Sequence, residues 1–171
     1  MSKFVITQGE FKTSADPDTT ISTLLGSCVA CCLWDPIAAV GGMNHILLAS
    51  TTRNAAKSDL AGVNAMELLI NDLLKMGASR GRLLAKAFGG AQMIKGLSEI
   101  GPSNCAFAMN FLEMENITCV SSSLGGMLSR NVVFTPTTGA VRVKTHQSTE
   151  VEIAIPATPP APACGNDLEL F

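Results

Sequence analysis

Val29-Ala30-Cys31-Cys32-Leu33-Trp34, closed by Asp35-Pro36 and followed by Val40-Gly41-Gly42-Met43-Asn44-His45-Ile46-Leu47-Leu48, reads as two strands joined by a turn. The first run is apolar throughout and of strand length, Asp-Pro punctuates it, and the second run is long enough to return beside it. Gly26-Ser27 stands immediately before the first strand, so Cys28 falls on a bend, where its sulfur can face a cleft. His45, one of 2 histidines in the chain, sits on the returning strand. A hairpin of this length brings the two ends together, sulfur beside imidazole. That is the minimum equipment for a thiol nucleophile with its own general acid/base. The competing reading is a small buried cysteine and a hydrogen-bonded core histidine.

Outward from the hairpin the chain reads as mixed α and β. Phe4 to Thr7 and Glu10 to Thr13 are short strands around Gly9, and Thr19 to Leu24 is a β-branched strand running into the Gly26-Ser27 bend. Asp59 to Met76 has helical spacing at Ala65, Met66, Leu69, Leu73 and Met76, with Gly77 as its stop. Leu83 to Phe88 is a buried-type strand ending at Gly89-Gly90. Gln92 to Leu97 and Pro102 to Glu113 read as helices, with Pro102 placed where its missing N–H costs nothing. Ile117 to Ser121, Asn131 to Phe134, Ala140 to Lys144 and Val151 to Ile155 complete the strands. Interleaving of this kind predicts a single α/β sandwich.

Composition narrows the function classes. The 171 residues are 47% apolar and 15% charged, so most of the chain is buried, and the formal charge of -2 offers no basic footprint for nucleic acid. No apolar run reaches the roughly 18 residues of a membrane span, and the N-terminus lacks the apolar core of a secretory signal. The expectation is a cytoplasmic protein with no membrane insertion. Its 6 cysteines are then thiols by default. Cys28, Cys31 and Cys32 have no second C-x2-C pair to complete a zinc knuckle, so neither a metal nor a cofactor is expected. On a strand, Cys31 and Cys32 point to opposite faces and serve as packing residues. His146, beyond an alternating strand, reads as surface. Residues 1–155 form the domain. Residues 156–171 form a Pro/Ala-rich flexible tail, too proline-rich at 156–163 to join a sheet, that either frays or docks its acidic and apolar tip, Asp167 to Phe171.

Thr23-Leu24-Leu25-Gly26-Ser27-Cys28-Val29-Ala30, Asp35-Pro36 and Gly41 to Leu48 together resemble the signature of the chemoreceptor glutamine deamidases, the CheD family. Ala85-Lys86-Ala87-Phe88-Gly89-Gly90-Ala91-Gln92-Met93 is similar to that family's second block. Ile100-Gly101 with Asn104 resembles its third, and Leu124-Gly125-Gly126 with Arg130 and Phe134 its fourth. Ser129-Arg130 departs from the Gly-Arg usual there. The resemblance covers roughly residues 4 to 145, in order. It implies an α/β (α+β) fold, a layered α/β/β/α-type sandwich of mixed sheets related to toxin-type deamidases.

The same resemblance implies a protein-glutamine glutaminase acting on the cytoplasmic helices of chemoreceptors, with a CheC-type chemotaxis phosphatase as regulatory partner. Cys28 is then the nucleophile and His45 the acid/base. Backbone N–H groups of the Gly26-Ser27-Cys28 bend are candidates for the oxyanion hole. Asn44 either hydrogen-bonds the substrate amide or satisfies backbone. A third residue orients the imidazole. The family pattern places a threonine six residues before the cysteine, which here is Ser22, and Thr23 follows at five. Only one of the two can reach the site from a strand, and Ser22 is the preferred one. Gly89-Gly90 and Gly125-Gly126 either admit a substrate peptide close to the backbone or, as the preferred reading, form tight turns. Two rival functions stay open: a thiol amidohydrolase with another substrate, and a non-enzymatic chemotaxis adaptor.

Overall fold

A computed structural model describes residues 1–48, 55–93, 99–146 and 168–171. The hairpin that opened the sequence is present: β4 (Val29–Asp35) pairs antiparallel with β5 (Val40–Asn44), Cys32 opposite Met43 and Asp35 opposite Val40. Asp35 closes the turn by accepting from the N–H groups of Ile37 (2.9 Å) and Ala38 (3.1 Å), and it pairs with Arg82. Burial works to raise its pKa, but Arg82 and these N–H donors overcome that and hold the carboxyl well below the usual carboxylate range.

The other strands are β1 (Ser2–Val5), β2 (Phe11–Ser14), β3 (Thr19–Leu25), β6 (Leu84–Gly89), β7 (Thr118–Leu124), β8 (Ser129–Thr135), β9 (Ala140–His146) and β10 (Leu168–Leu170). The helices are α1 (Ala55–Lys75) and α2 (Ile100–Met114). One sheet has the order β1-β3-β8-β9-β10 and the other β2-β5-β4-β6-β7. Both are mixed: β1 runs parallel to β3 and β6 parallel to β7, while the remaining neighbours are antiparallel. The molecule is therefore a single α+β domain of two mixed sheets and two helices.

Two hydrophobic cores explain the layering. Ile21, Leu25, Cys32, Phe88, Val132, Phe134 and Val143 fill the space between the sheets. Cys31, Leu33, Met66, Leu69, Ile70, Leu73, Phe111 and Leu112 fill the space between the second sheet and the helices. A fully buried side chain such as Phe134 or Leu69 contributes roughly 2 kcal/mol. Because β4 has a core on each side, all seven of its residues are buried, which is why its sequence is apolar without alternation from Val29 to Trp34. Cys31 and Cys32 face opposite cores, as strand alternation requires.

The expected α/β/β/α layering is corrected by this arrangement. Among the described residues both helices pack on the second sheet, α1 on β2 and β5, α2 on β4, β6 and β7, which gives three layers. Gly41 and Gly42 let those layers close. A Cβ at Gly41 would sit 2.2 Å from the Pro136 carbonyl oxygen, and one at Gly42 would sit 2.7 Å from Leu69 of α1.

Two further expectations change, and others lie outside the described residues. Gln92 and Met93 lie outside any helix, and the rest of that expected helix, residues 94–97, falls outside the described residues. The expected strand at 151–155 and the proline-rich stretch also fall outside them. The tip of the tail does not fray. Leu168–Leu170 adds to β9 as an antiparallel edge strand, and the Phe171 ring meets Phe88 edge-on at 5.4 Å. Its apolar residues supply what the proline-rich stretch lacks, a strand-forming end with an aromatic anchor.

Candidate active site

β3 alternates buried and outward positions: Thr19, Ile21, Thr23 and Leu25 face the core. Ser22 therefore faces away from the gap between the sheets, and its hydroxyl lies 3.4 Å from the Phe4 carbonyl. This corrects the preference for Ser22. The buried Thr23 Oγ1 lies 2.7 Å from His45 Nδ1 and 2.7 Å from the Ile6 carbonyl oxygen. A carbonyl only accepts, so the one hydroxyl proton of Thr23 goes to Ile6. Oγ1 is then left to accept from Nδ1–H, which assigns the His45 tautomer from the hydrogen-bond network. Nε2 carries the lone pair and is free to act as a base.

His45 follows directly on β5, and its backbone is held from both sides. The Gly9 N–H donates to its carbonyl at 2.9 Å, and its own N–H donates to the Glu10 carbonyl at 3.0 Å. Burial lowers the imidazole pKa below its ordinary value, and Glu10 offsets part of that shift. The base is neutral at neutral pH.

The hairpin register sets Cys28 beside it. Val29 and Ile46 exchange hydrogen bonds of 3.0 and 2.8 Å, continuing the pairing of Cys32 with Met43. Ala30 thus stands opposite His45, and Cys28 is the diagonal neighbour two residues on. Such neighbours lie about 7–8 Å apart at Cα, closer at Cβ. Cys28 is half-buried against the core between the sheets, the same gap that the imidazole enters. Burial raises its thiol pKa, so in the free protein the pair is a neutral thiol and a neutral imidazole.

The carbonyls of the bend are pinned one after another. Gly26 accepts from the Ala91 N–H at 3.0 Å, Ser27 from Asn104 Nδ2 at 2.8 Å, and Cys28 from the Gly90 N–H at 2.8 Å. Gly89, at φ 109, lies so close beneath that a Cβ there would come within 2.2 Å of the Cys28 carbonyl oxygen. Arg130 braces the same corner from β8, donating to the Gly89 carbonyl at 3.3 Å and to Gly125 at 2.7 Å. Both glycine pairs stand at strand ends, Gly89-Gly90 at the close of β6 and Gly125-Gly126 just after β7, and all four residues have positive φ. The serine before Arg130 does not keep the guanidinium from this role.

Of the two roles open to Asn44, the substrate contact is corrected and the backbone one is observed. Its Oδ1 accepts from the Cys31 N–H at 3.0 Å and its Nδ2 contacts Met66 Sδ at 3.2 Å, so the amide faces the helices and supports backbone, away from Cys28. Sequence reasoning passed over Ile6, whose contribution is a backbone carbonyl that any residue type supplies. It also gave Asn104 no role, although a signal exists: Asn104 lies in the buried stripe of α2 formed by Gly101, Ala108, Phe111 and Leu112.

A thiol, an imidazole with a lone pair at Nε2, a hydroxyl that orients it and a rigid bend of N–H groups are the components of nucleophilic amide hydrolysis. The model of the CheD family, described as chemotactic sensory transduction, matches residues 47–145. That span begins beyond His45, but relatives called probable chemoreceptor glutamine deamidase CheD match almost the whole chain. The protein of Caulobacter vibrioides NA1000 / CB15N is 47% identical over 174 residues, covering 99% of this chain and 93% of its own. That of Caulobacter sp. K31 is 49% identical over 175 residues with the same coverage. That of Agrobacterium fabrum C58 is 48% identical over 172 residues, covering 97% of this chain and 94% of its own. Identity of 47% to 49% over almost the whole chain makes it a member of the CheD family.

Proposed function

We propose that the chain is a protein-glutamine glutaminase that converts glutamines of chemoreceptors to glutamates through a thioester on Cys28. The observation that supports this most directly is the hydrogen-bonded line from the Ile6 carbonyl through Thr23 to His45, set beside the Cys28 bend. An amide is a poor electrophile with a poor leaving group, so two steps need help. Nε2 of His45 takes the Cys28 proton as sulfur attacks the carboxamide carbon, and the carbonyl π electrons move to oxygen. N–H groups of the bend stabilise that oxyanion. The imidazolium returns its proton to nitrogen, the C–N bond breaks, and ammonia leaves a thioester. Water then attacks with His45 as base, the C–S bond breaks, and the thiol is restored. The sum is carboxamide plus water giving carboxylate plus ammonium.

General acid/base assistance of this kind contributes about 10²- to 10⁴-fold, and oxyanion stabilisation is often the larger share. Each turnover places a negative charge on a receptor helix, where like charges at helical spacing repel, so the modification biases a packed helical bundle. The substrate sets the place of action, the cytoplasmic helices of the receptor. A CheC-type chemotaxis phosphatase is the regulatory partner that belongs with this reading.

Ammonia release from a purified chemoreceptor cytoplasmic fragment, compared with free glutamine and with the Cys28→Ala protein, tests the proposal. Release from the fragment alone, lost in the variant, is expected. Release from free glutamine points instead to a small-molecule amidohydrolase, and no release with normal receptor binding points to an adaptor.

A further inference from the structure

The side-chain amide of Asn104 joins two separate parts of the site. Nδ2 donates to the Ser27 carbonyl at 2.8 Å, and Oδ1 accepts from the Leu48 N–H at 3.0 Å. The residue is 1% exposed and occupies a position in α2 whose neighbours are apolar or small. Burying an amide costs free energy unless its hydrogen bonds are made, and an apolar residue would suit the packing here without that demand. Both partners are backbone groups outside the strands: Ser27 lies in the nucleophile bend, and Leu48 lies three residues after His45.

Peptide geometry shows what the contact achieves. All described peptide bonds are trans, so the C=O and N–H of one peptide unit point in opposite directions. Drawing the Ser27 carbonyl toward α2 turns the Cys28 N–H to the opposite side. The Ala91 N–H does the same for the peptide between Gly26 and Ser27. The bend cannot turn its donors toward an oxyanion unless its carbonyls are held, and the Asn104 side chain holds the one at Ser27.

We infer that Asn104 is a positioning residue for the reaction. Its amide fixes the orientation of the Ser27–Cys28 peptide, and so the aim of the Cys28 N–H, while its hold on Leu48 ties the segment carrying His45 to the same anchor. The inference rests on the thioester reading above.

The test compares two reactions of one thiol. Acylation by p-nitrophenyl acetate passes through a tetrahedral oxyanion, whereas alkylation by iodoacetamide does not. Both are measured on the parent protein, on Asn104→Asp, which keeps the acceptor for Leu48 but loses the donor to Ser27, and on Asn104→Ala. Cys28→Ala supplies the background. Acylation in both Asn104 variants should fall on the order of 10²-fold, the usual loss for one oxyanion donor. Alkylation at its high-pH limit should hold per folded molecule. Acylation that persists overturns the inference, as does an equal fall in both reactions, which marks general collapse of the bend. Failure of both variants to fold also overturns it, since Asn104 would then support the core alone. If the acylation loss appears but the parent protein leaves a receptor fragment unchanged, the positioning role stands and the glutaminase reading falls.

Discussion

Thr23 Oγ1 and His45 Nδ1 lie 2.7 Å apart across the gap between the two sheets. The contact joins β3 of one sheet to the end of β5 in the other. Because the threonine also meets the Ile6 carbonyl at 2.7 Å, it fixes both the ring orientation and the tautomer. An accepting carbonyl behind a hydroxyl does here what a carboxylate does in many triads, without adding a charge to the site.

Replacing Thr23 by valine keeps the shape and removes the hydroxyl. Receptor deamidation by Thr23→Val should fall about 10²-fold in kcat with KM nearly unchanged, and Thr23→Ser should recover much of it. Ser22→Ala should be close to silent. Steady-state kinetics on the three variants decide the matter, and a larger loss from Ser22→Ala than from Thr23→Val refutes the assignment.

The pKa shifts set the pH behaviour. Burial raises the Cys28 thiol above its ordinary 9.0, so iodoacetamide alkylation of the free protein should still be climbing at pH 9. A plateau below pH 7 would instead reveal a preformed thiolate–imidazolium pair. For His45, burial lowers the folded pKa below its ordinary 6.5. Between those two values the unfolded chain binds more protons, so stability rises with pH across that window. The His45 contribution is complete above pH 6.5 and is lost as pH falls below it. Thermal melts from pH 7 to pH 5 should show this slope, and His45→Gln should reduce it.

Gly89 combines a φ of 109 with a carbonyl oxygen 2.2 Å from where a Cβ would stand. The backbone conformation alone costs an L-residue roughly 1–2 kcal/mol, and the overlap pushes directly on Cys28. Gly89→Ala should lower Tm and reduce turnover per folded molecule. A variant with parental activity would show that the bend does not depend on this contact.

The edge strand at the C-terminus makes its own prediction. Phe171 and Val141 exchange backbone hydrogen bonds of 2.9 and 3.1 Å, and the Phe171 ring sits on Phe88. Deleting residues 168–171 should speed amide exchange at Val141, and Phe171→Ala should cost about 1 kcal/mol. Unchanged exchange at Val141 after truncation would show the strand to be unformed in solution.

Several of these features were legible in the sequence. The apolar run before Asp35-Pro36 gave the hairpin, and its length put Cys28 and His45 at the same open end. The stripe Met66, Leu69, Leu73 identified the buried face of α1. What stayed hidden depends on contacts between elements. Ser22 and Thr23 are adjacent hydroxyls on one strand, and only the side on which the second sheet packs chooses between them. Ile6 acts through its carbonyl and leaves no trace in residue type. Asn44 looks ready for a substrate until Cys31 and Met66 are seen to occupy it. The number of helical layers depends on which side each crossover takes, and periodicity does not record that. Prolines in the tail drew attention from Leu168–Leu170, whose pairing partner lies more than twenty residues earlier.

Peptide-resolved mass spectrometry of a chemoreceptor cytoplasmic fragment, after incubation with the parent protein and with Cys28→Ala, addresses the central claim most directly. The account predicts a gain of about one dalton at defined glutamines, absent with the variant, as a thiol nucleophile requires. Unchanged masses on a folded receptor fragment, or the same gain with Cys28→Ala, would contradict it.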